Sequence, residues 1–157
     1  MPRYFEQFFN EEPMREISEE KARASAWYVE EVEGPPLHYR QHGEGKLARI
    51  IYPGHEDPAP AVADHRARYD GVPLQVHSPV TTGDRTRWRT WDFDGRGQLQ
   101  RSIAYELDPD SPAYSESLYS PEGALLFRRE HVHDDDGLVE VVTYDQHGKV
   151  LNREEVD

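Results

Sequence analysis

The sequence predicts a mainly β chain: a meandering antiparallel sheet of tandem β-hairpin repeats, preceded by a short N-terminal helix. Three observations predict it. Glycines at 45, 71, 97, 123 and 148 are spaced 26, 26, 26 and 25 residues apart, and self-similarity at a fixed period is the mark of a repeat architecture. Period-two alternation runs through the segments between them. The composition suits a thin sheet, with hydrophobic residues at only 36% but aromatic residues at 11%, against about 45–50% apolar in an average domain.

The clearest copies read Phe93-Asp-Gly-Arg-Gly97-Gln-Leu99, Tyr119-Ser-Pro-Glu-Gly123-Ala-Leu125 and Tyr144-Asp-Gln-His-Gly148-Lys-Val150. Each is a hairpin in outline. An aromatic ends one strand, a polar stretch turns, glycine takes a positive φ, and an aliphatic residue opens the next strand. The copies at Gly45 and Gly71 lack the aromatic and carry less of the pattern.

Taken in order, Met1–Pro13 holds Tyr4, Phe5, Phe8 and Phe9, which suits a strand or a docked segment. Glu16–Ala26 has helical composition, with Ile17, Lys21 and Ala24 on one side and Ser18 as N-cap. Strands are expected near 26–33, 37–42 and 46–52. Pro53–Ala63, rich in proline, reads as a loop too long for a hairpin. Further strands are expected near 64–70, 72–78, 85–92, 98–106, 113–119, 124–133 and 138–145, with a last one running to Val156. Leu107–Pro112 reads as a shorter break, while Gly34-Pro-Pro36 and Asp134-Asp-Asp-Gly137 mark turns. The length suits one domain, with 1–36 as an N-terminal segment carrying the helix and 37–157 as the hairpins.

Eighteen basic against 31 acidic residues leave a formal charge of −13. A chain so acidic is repelled by phosphate backbones, so nucleic acid is not an expected partner. No apolar run approaches the roughly 18 residues of a membrane span, and no apolar signal core follows Met1. The expected location is therefore the cytoplasm, away from membranes. With no Cys, disulfides, thiolate metal sites and a Cys nucleophile are excluded.

Tyr144-Asp145-Gln-His-Gly148-Lys149-Val150 resembles the core of the YD repeat of Rhs-type proteins, Tyr-Asp-x-x-Gly-(Arg/Lys)-(Leu/Val). The copies at Tyr119 and Phe93 are similar but depart from it, with Ser120 in place of Asp and Phe93 in place of Tyr. The pattern is also similar to variant MORN-type repeats of small bacterial proteins, some associated with toxin–immunity loci. The resemblance covers residues 37–157 as a layout and the C-terminal third by motif. It implies a meander of hairpins with a binding or scaffolding role and no catalytic residues to carry over. Five copies are too few to build the closed shell of large Rhs proteins.

Several clusters bear on function. His131-x-His133 with Asp135 places two imidazoles on one strand face beside a carboxylate, a reasonable Zn²⁺ or Mn²⁺ set that lacks a certain third ligand; His147 is a candidate for it. The alternative is a solvated strand end leading into an acidic turn. Asp92-Phe-Asp94-Gly95 reads as a turn rather than a calcium loop, lacking the later ligands. Arg85, Arg87 and Arg89 form the one basic stripe, with Arg66 and Arg68 as possible neighbours. The stripe suits an anionic ligand or, in so acidic a chain, cross-strand carboxylates. Trp88, Trp91 and Tyr105 are candidates for a binding platform, although residues three apart on a strand face opposite ways. No Gly-x-Ser-x-Gly elbow, His-Glu-x-x-His helix or phosphate loop is present.

The expectation is a non-enzymatic protein-binding module without cofactor, whose charge steers a basic partner. Its sharpest form is an immunity protein that neutralises a basic toxin. A metal-dependent enzyme or metal-binding module on His131 and His133, and a structural module self-associating through strand edges, are the alternatives.

Overall fold

The computed structural model describes residues 2–10, 13–108 and 114–156. Twelve strands and two helices follow one another: β1 (Arg3–Phe5), β2 (Glu16–Ile17), α1 (Glu19–Ala24), β3 (Trp27–Val32), β4 (His38–Gly43), β5 (Lys46–Tyr52), α2 (Ala59–Arg68), β6 (Leu74–His77), β7 (Thr86–Phe93), β8 (Leu99–Leu107), β9 (Tyr114–Tyr119), β10 (Leu125–Asp134), β11 (Gly137–Asp145) and β12 (Val150–Glu155). They form one open sheet in the order β12-β11-β10-β9-β8-β7-β6-β5-β4-β3-β1-β2. The expected mainly β hairpin meander with a short N-terminal helix is what the chain adopts. No helix among the described residues is long and apolar enough to cross a membrane. Most of the break at Leu107–Pro112 lies outside the described residues.

Three expectations are corrected. Residues 64–70 are not a strand, and the proline-rich stretch is not all loop, because α2 spans Ala59–Arg68. Proline is tolerated in the first turn, where its missing N–H has no intrahelical partner to lose. Ala59, Ala61, Ala63 and Ala67 then supply the strongest helix formers. The Asp57 carboxylate accepts the Ala59 N–H at 3.0 Å. Since α2 carries the chain across the sheet, β5 and β6 pair in parallel, with Ile50 opposite Leu74 and Tyr52 opposite Val76. The sheet is therefore antiparallel with one parallel pair, because a parallel neighbour needs such a crossover. The first helix is also shorter than expected, with Glu16–Ile17 pairing with β1. Ser18 is its N-cap, accepting the Lys21 N–H at 3.1 Å.

Chain contacts divide the protein into two compact units, 1–79 with 91–99, and 80–90 with 100–157. The first is layered on both sides of β5. Ile50 and Tyr52 join Ala61 of α2, Leu74, Val76 and Phe93 in one core. Ile51, one residue out of phase, joins Phe5, Val29 and Tyr39, with Phe8 and Met14 packed against them. The aromatic N-terminus is therefore a docked cover for the second face. Trp27 lies across Gly43, where a Cβ would strike the indole.

The second unit contains neither helix. Among its described residues only Trp88, Thr90, Ser102 and Val142 are buried. All of β9 is half-buried and all of β12 exposed. A sheet covered on one face buries every second residue; this one does not, which is the signature of a single layer.

The last three repeat turns share one geometry. The Asp94 N–H donates to the Gln98 carbonyl, Ser120 to Ala124, and Asp145 to Lys149, at 2.8–3.0 Å. Gly97, Gly123 and Gly148 each donate back to the first residue of the turn, with φ of 80°, 86° and 83°. Gly45 belongs to a two-residue turn with Glu44, and Gly71 joins α2 to β6, its N–H on the Gly95 carbonyl. The even spacing thus reports a repeated hairpin only from Gly97 onward.

Candidate functional site

The register of β8 to β10 sorts the second unit's side chains onto two faces. Ile103 lies opposite Leu118 and Tyr105 opposite Glu116. Leu118 in turn lies opposite Phe127, Glu116 opposite Arg129, and Tyr114 opposite His131. Because directly opposed residues share a face, these form one surface, which also takes Trp88.

Four rings cross that surface from strand to strand. Trp88 stacks on Tyr105 with centroids 5.0 Å apart and planes at 11°. Tyr105 stacks on Tyr114 at 6.0 Å, and Tyr114 meets the His131 ring at 5.1 Å. Beside the row, Arg101, Ile103, Glu116, Leu118, Phe127 and Arg129 line a depression of about 230 Å³. Glu116 accepts from Arg129 at 3.4 Å and lies 3.2 Å from His131 Nε2. The lining of the depression combines three apolar side chains, Ile103, Leu118 and Phe127, with three charged ones.

The opposite face carries most of the ion pairs among the unit's described residues. Arg85 and Arg87 both pair with Glu106 of β8, at 3.5 and 2.7 Å, and Arg89 lies over the Tyr119 ring. The stripe of arginines is thus engaged by cross-strand carboxylate and ring rather than lining one anionic site. Arg128–Glu130 and Arg153–Glu140 continue the pairing at 2.6 and 3.0 Å. Arg66 and Arg68 sit on α2, where Arg68 pairs with Asp64 at 3.0 Å and Arg66 donates to the Arg96 carbonyl.

Of the candidate platform, Trp88 and Tyr105 come together, whereas Trp91 packs against the Ile50–Tyr52 core of the first unit. The two tryptophans point apart as residues three apart on a strand must. His131 joins the ring row, Asp135 is exposed in the β10–β11 turn, and His147 sits in another turn, its N–H on Asp145. Among the described residues no three His, Asp or Glu side chains converge as a metal set.

One end of the second unit is acidic. Strands β8, β10 and β12 run toward one end of the unit, which carries Asp108, Asp134, Asp135, Asp136, Glu154 and Glu155. From Leu125 to Val156 there are eight acidic residues and four basic.

The first unit holds buried polar groups that the sequence reading did not single out. His38 is fully buried, with Nδ1 2.8 Å from the Pro36 carbonyl and Nε2 2.6 Å from the Tyr69 hydroxyl. The carbonyl can only accept, so Nδ1 carries the proton and Nε2 accepts from Tyr69. The Tyr52 hydroxyl donates to Asp64 at 2.7 Å, and burial beside that carboxylate raises its pKa. These bonds, with Arg68 reaching the Pro35 carbonyl at 2.9 Å, tie α2 and the residue after it to the sheet. His77 is buried against Phe8, its Nε2 2.7 Å from Gln75 Oε1, while Nδ1 has no partner.

No known family, characterised protein or solved structure matches the chain.

Proposed function

We propose that the protein is a non-enzymatic recognition module whose ring-bearing sheet face binds another protein, and that this partner is basic. The observation that carries the reading is the row Tyr105–Tyr114–His131, anchored on the buried Trp88, beside the depression at Leu118 and Phe127, on a sheet with no second layer among the described residues of its own unit. Trp, Tyr and Arg dominate binding hot spots because they offer large rigid area at low entropic cost, and contiguous apolar surface on a domain marks interaction sites. The charge of −13 steers a cationic protein toward the module and repels an anionic one. The repeat's resemblance to those of toxin–immunity loci gives the sharpest form of the reading: an immunity protein that neutralises a basic toxin.

The test expresses the products of the adjacent genes and co-expresses any that is toxic with wild-type protein or with Leu118→Arg; the absence of any toxic neighbour overturns the immunity reading. The expected result is growth rescue and co-purification of a cationic protein by the wild type, with both lost in the variant while its fold is retained. Unchanged toxicity in the presence of wild-type protein, or equal capture by both proteins, overturns the reading.

A further inference from the structure

The two edges of the sheet are unlike. At one end of the strand order β2 is only two residues long, too short to template a partner. At the other, β12 offers six exposed residues, with Leu151 61% exposed. Edges of this length are normally blunted by proline, bulges or a covering loop. The one register shift recorded for β12 falls at its start, where Leu151 is the extra residue between the pairs Val150–Tyr144 and Asn152–Thr143, and leaves Asn152–Glu155 regular.

The direction of the backbone groups follows from one bond. Val156 donates its N–H to the Val139 carbonyl at 2.9 Å. In an antiparallel pair the hydrogen-bonding direction alternates along the strand. Glu154 and Asn152 therefore also face β11, while Arg153 and Glu155 aim their N–H and C=O groups away from it. In each earlier repeat the strand after the turn glycine has its next strand on that side: β9 beside β8, and β11 beside β10.

A second copy of the chain fits this edge poorly. Two identical antiparallel strands in one continuous sheet are related by an axis normal to the sheet, so each residue opposes one of equal parity. Centring on Arg153 opposes two arginines, and centring on Glu154 opposes two glutamates, which costs stability. Centring on Asn152 leaves Leu151 against Arg153 and Val150 against Glu154. Each copy also carries −13.

We propose that the β12 edge captures an extended basic segment of the protein partner as an added antiparallel strand. The inference rests on the recognition reading above and adds how the partner attaches. Main-chain bonds to Arg153 and Glu155 supply affinity, and alternate side chains supply specificity. Arg153 is engaged by Glu140, so the charges left to the incoming strand are Glu154 and Glu155, at the end that also carries Asp134–Asp136. The captured segment places Lys or Arg opposite these two glutamates.

The probe is the end-blocked peptide Lys-Lys-Thr-Thr-Val-Thr, titrated to millimolar concentration into isotopically labelled full-length protein, with Glu-Glu-Thr-Thr-Val-Thr as control. The expected result is amide shift changes centred on Arg153 and Glu155, with exchange at those amides slowed about five-fold or more. Arg153→Pro and Glu155→Pro remove outward donors without touching the ladder to β11, and each is expected to abolish the response while leaving the Trp88–Tyr105 signals in place. Leu118→Arg is expected to leave it intact, which separates this edge from the ring face. No change at these amides, changes confined to the ring row, equal binding of the acidic peptide, or protection of the same amides by self-association without peptide each overturn the proposal.

Discussion

The Trp88 indole and the Tyr105 ring stack across β7 and β8 with centroids 5.0 Å apart and planes 11° from parallel. In a layered domain such a pair is one contact among many. In the second unit Trp88 is one of four buried residues among those described, so the stack stands in for a core. Trp88→Ala is expected to destabilise the protein by about 3 kcal/mol, the range for removing a buried aromatic. A double-mutant cycle with Tyr105→Ala should return a coupling of about 1 kcal/mol. Urea denaturation of the four proteins measures both, and additive effects would refute the stack as an energetic unit.

The repeated turns differ in how their first residue caps them. The Asp145 carboxylate accepts two backbone N–H groups, from His147 at 2.8 Å and Lys149 at 2.9 Å. The bonds from Lys149 and then His147 hold its pKa below the ordinary value. The Ser120 hydroxyl accepts one, from Ala124 at 3.1 Å. Asp145→Ala is therefore expected to lower the thermal midpoint more than Ser120→Ala, and only the Asp145 effect should shrink in acid. At Gly123, where φ is 86° and a Cβ would meet nothing within 4 Å, Gly→Ala isolates backbone strain, at about 1 kcal/mol.

How far the sequence reaches is visible in these elements. The strands from β7 onward were legible because alternation and turn glycines are local signals, and the pairing of Arg85 and Arg87 with carboxylates followed from charge balance. The helix α2 was not. Its buried stripe is Ala61 and His65, too small and too polar to show as an apolar period, and its prolines read as loop until they are placed in a first turn. The ring row was half legible. Trp88 and Tyr105 lie on adjacent strands, but Tyr114 and His131 join them only through the register of β9 and β10, which depends on pairings far apart in sequence. The burial of His38 gave no local signal, since its side-chain partner Tyr69 lies 31 residues away.

Removing the Tyr69 hydroxyl strands the ring it serves. With Nδ1 of His38 protonated toward Pro36, Nε2 has only Tyr69 as donor. Tyr69→Phe leaves that buried acceptor unpaired and is expected to cost about 1–3 kcal/mol. Nitrogen NMR of the ring should report the Nδ1–H tautomer in the wild type. An Nε2–H signal would contradict the assignment.

Acid should act on the first unit through His77. Burial, and then the nearby Arg49 cation, push its pKa down to about 4, only partly opposed by Asp92. Its Nε2 donates to Gln75, whose amide in turn donates to Asp92 at 2.7 Å, and a proton on Nδ1 finds no acceptor. The unfolded histidine titrates near 6.5. Between that value and about 4 the unfolded chain binds a proton that the fold refuses. Stability is therefore full above pH 6.5 and falls as pH drops toward 4, by about 3 kcal/mol from this group. His38 and His65, also depressed by burial, add loss of the same sign. His77→Gln removes the titrating group, so its urea midpoint should change less between pH 7.5 and 4.5 than that of the wild type. Phe8 packs on the ring at 4.8 Å, so amides of the N-terminal cover should lose exchange protection first. An unchanged pH profile in His77→Gln would assign the acid sensitivity to other groups.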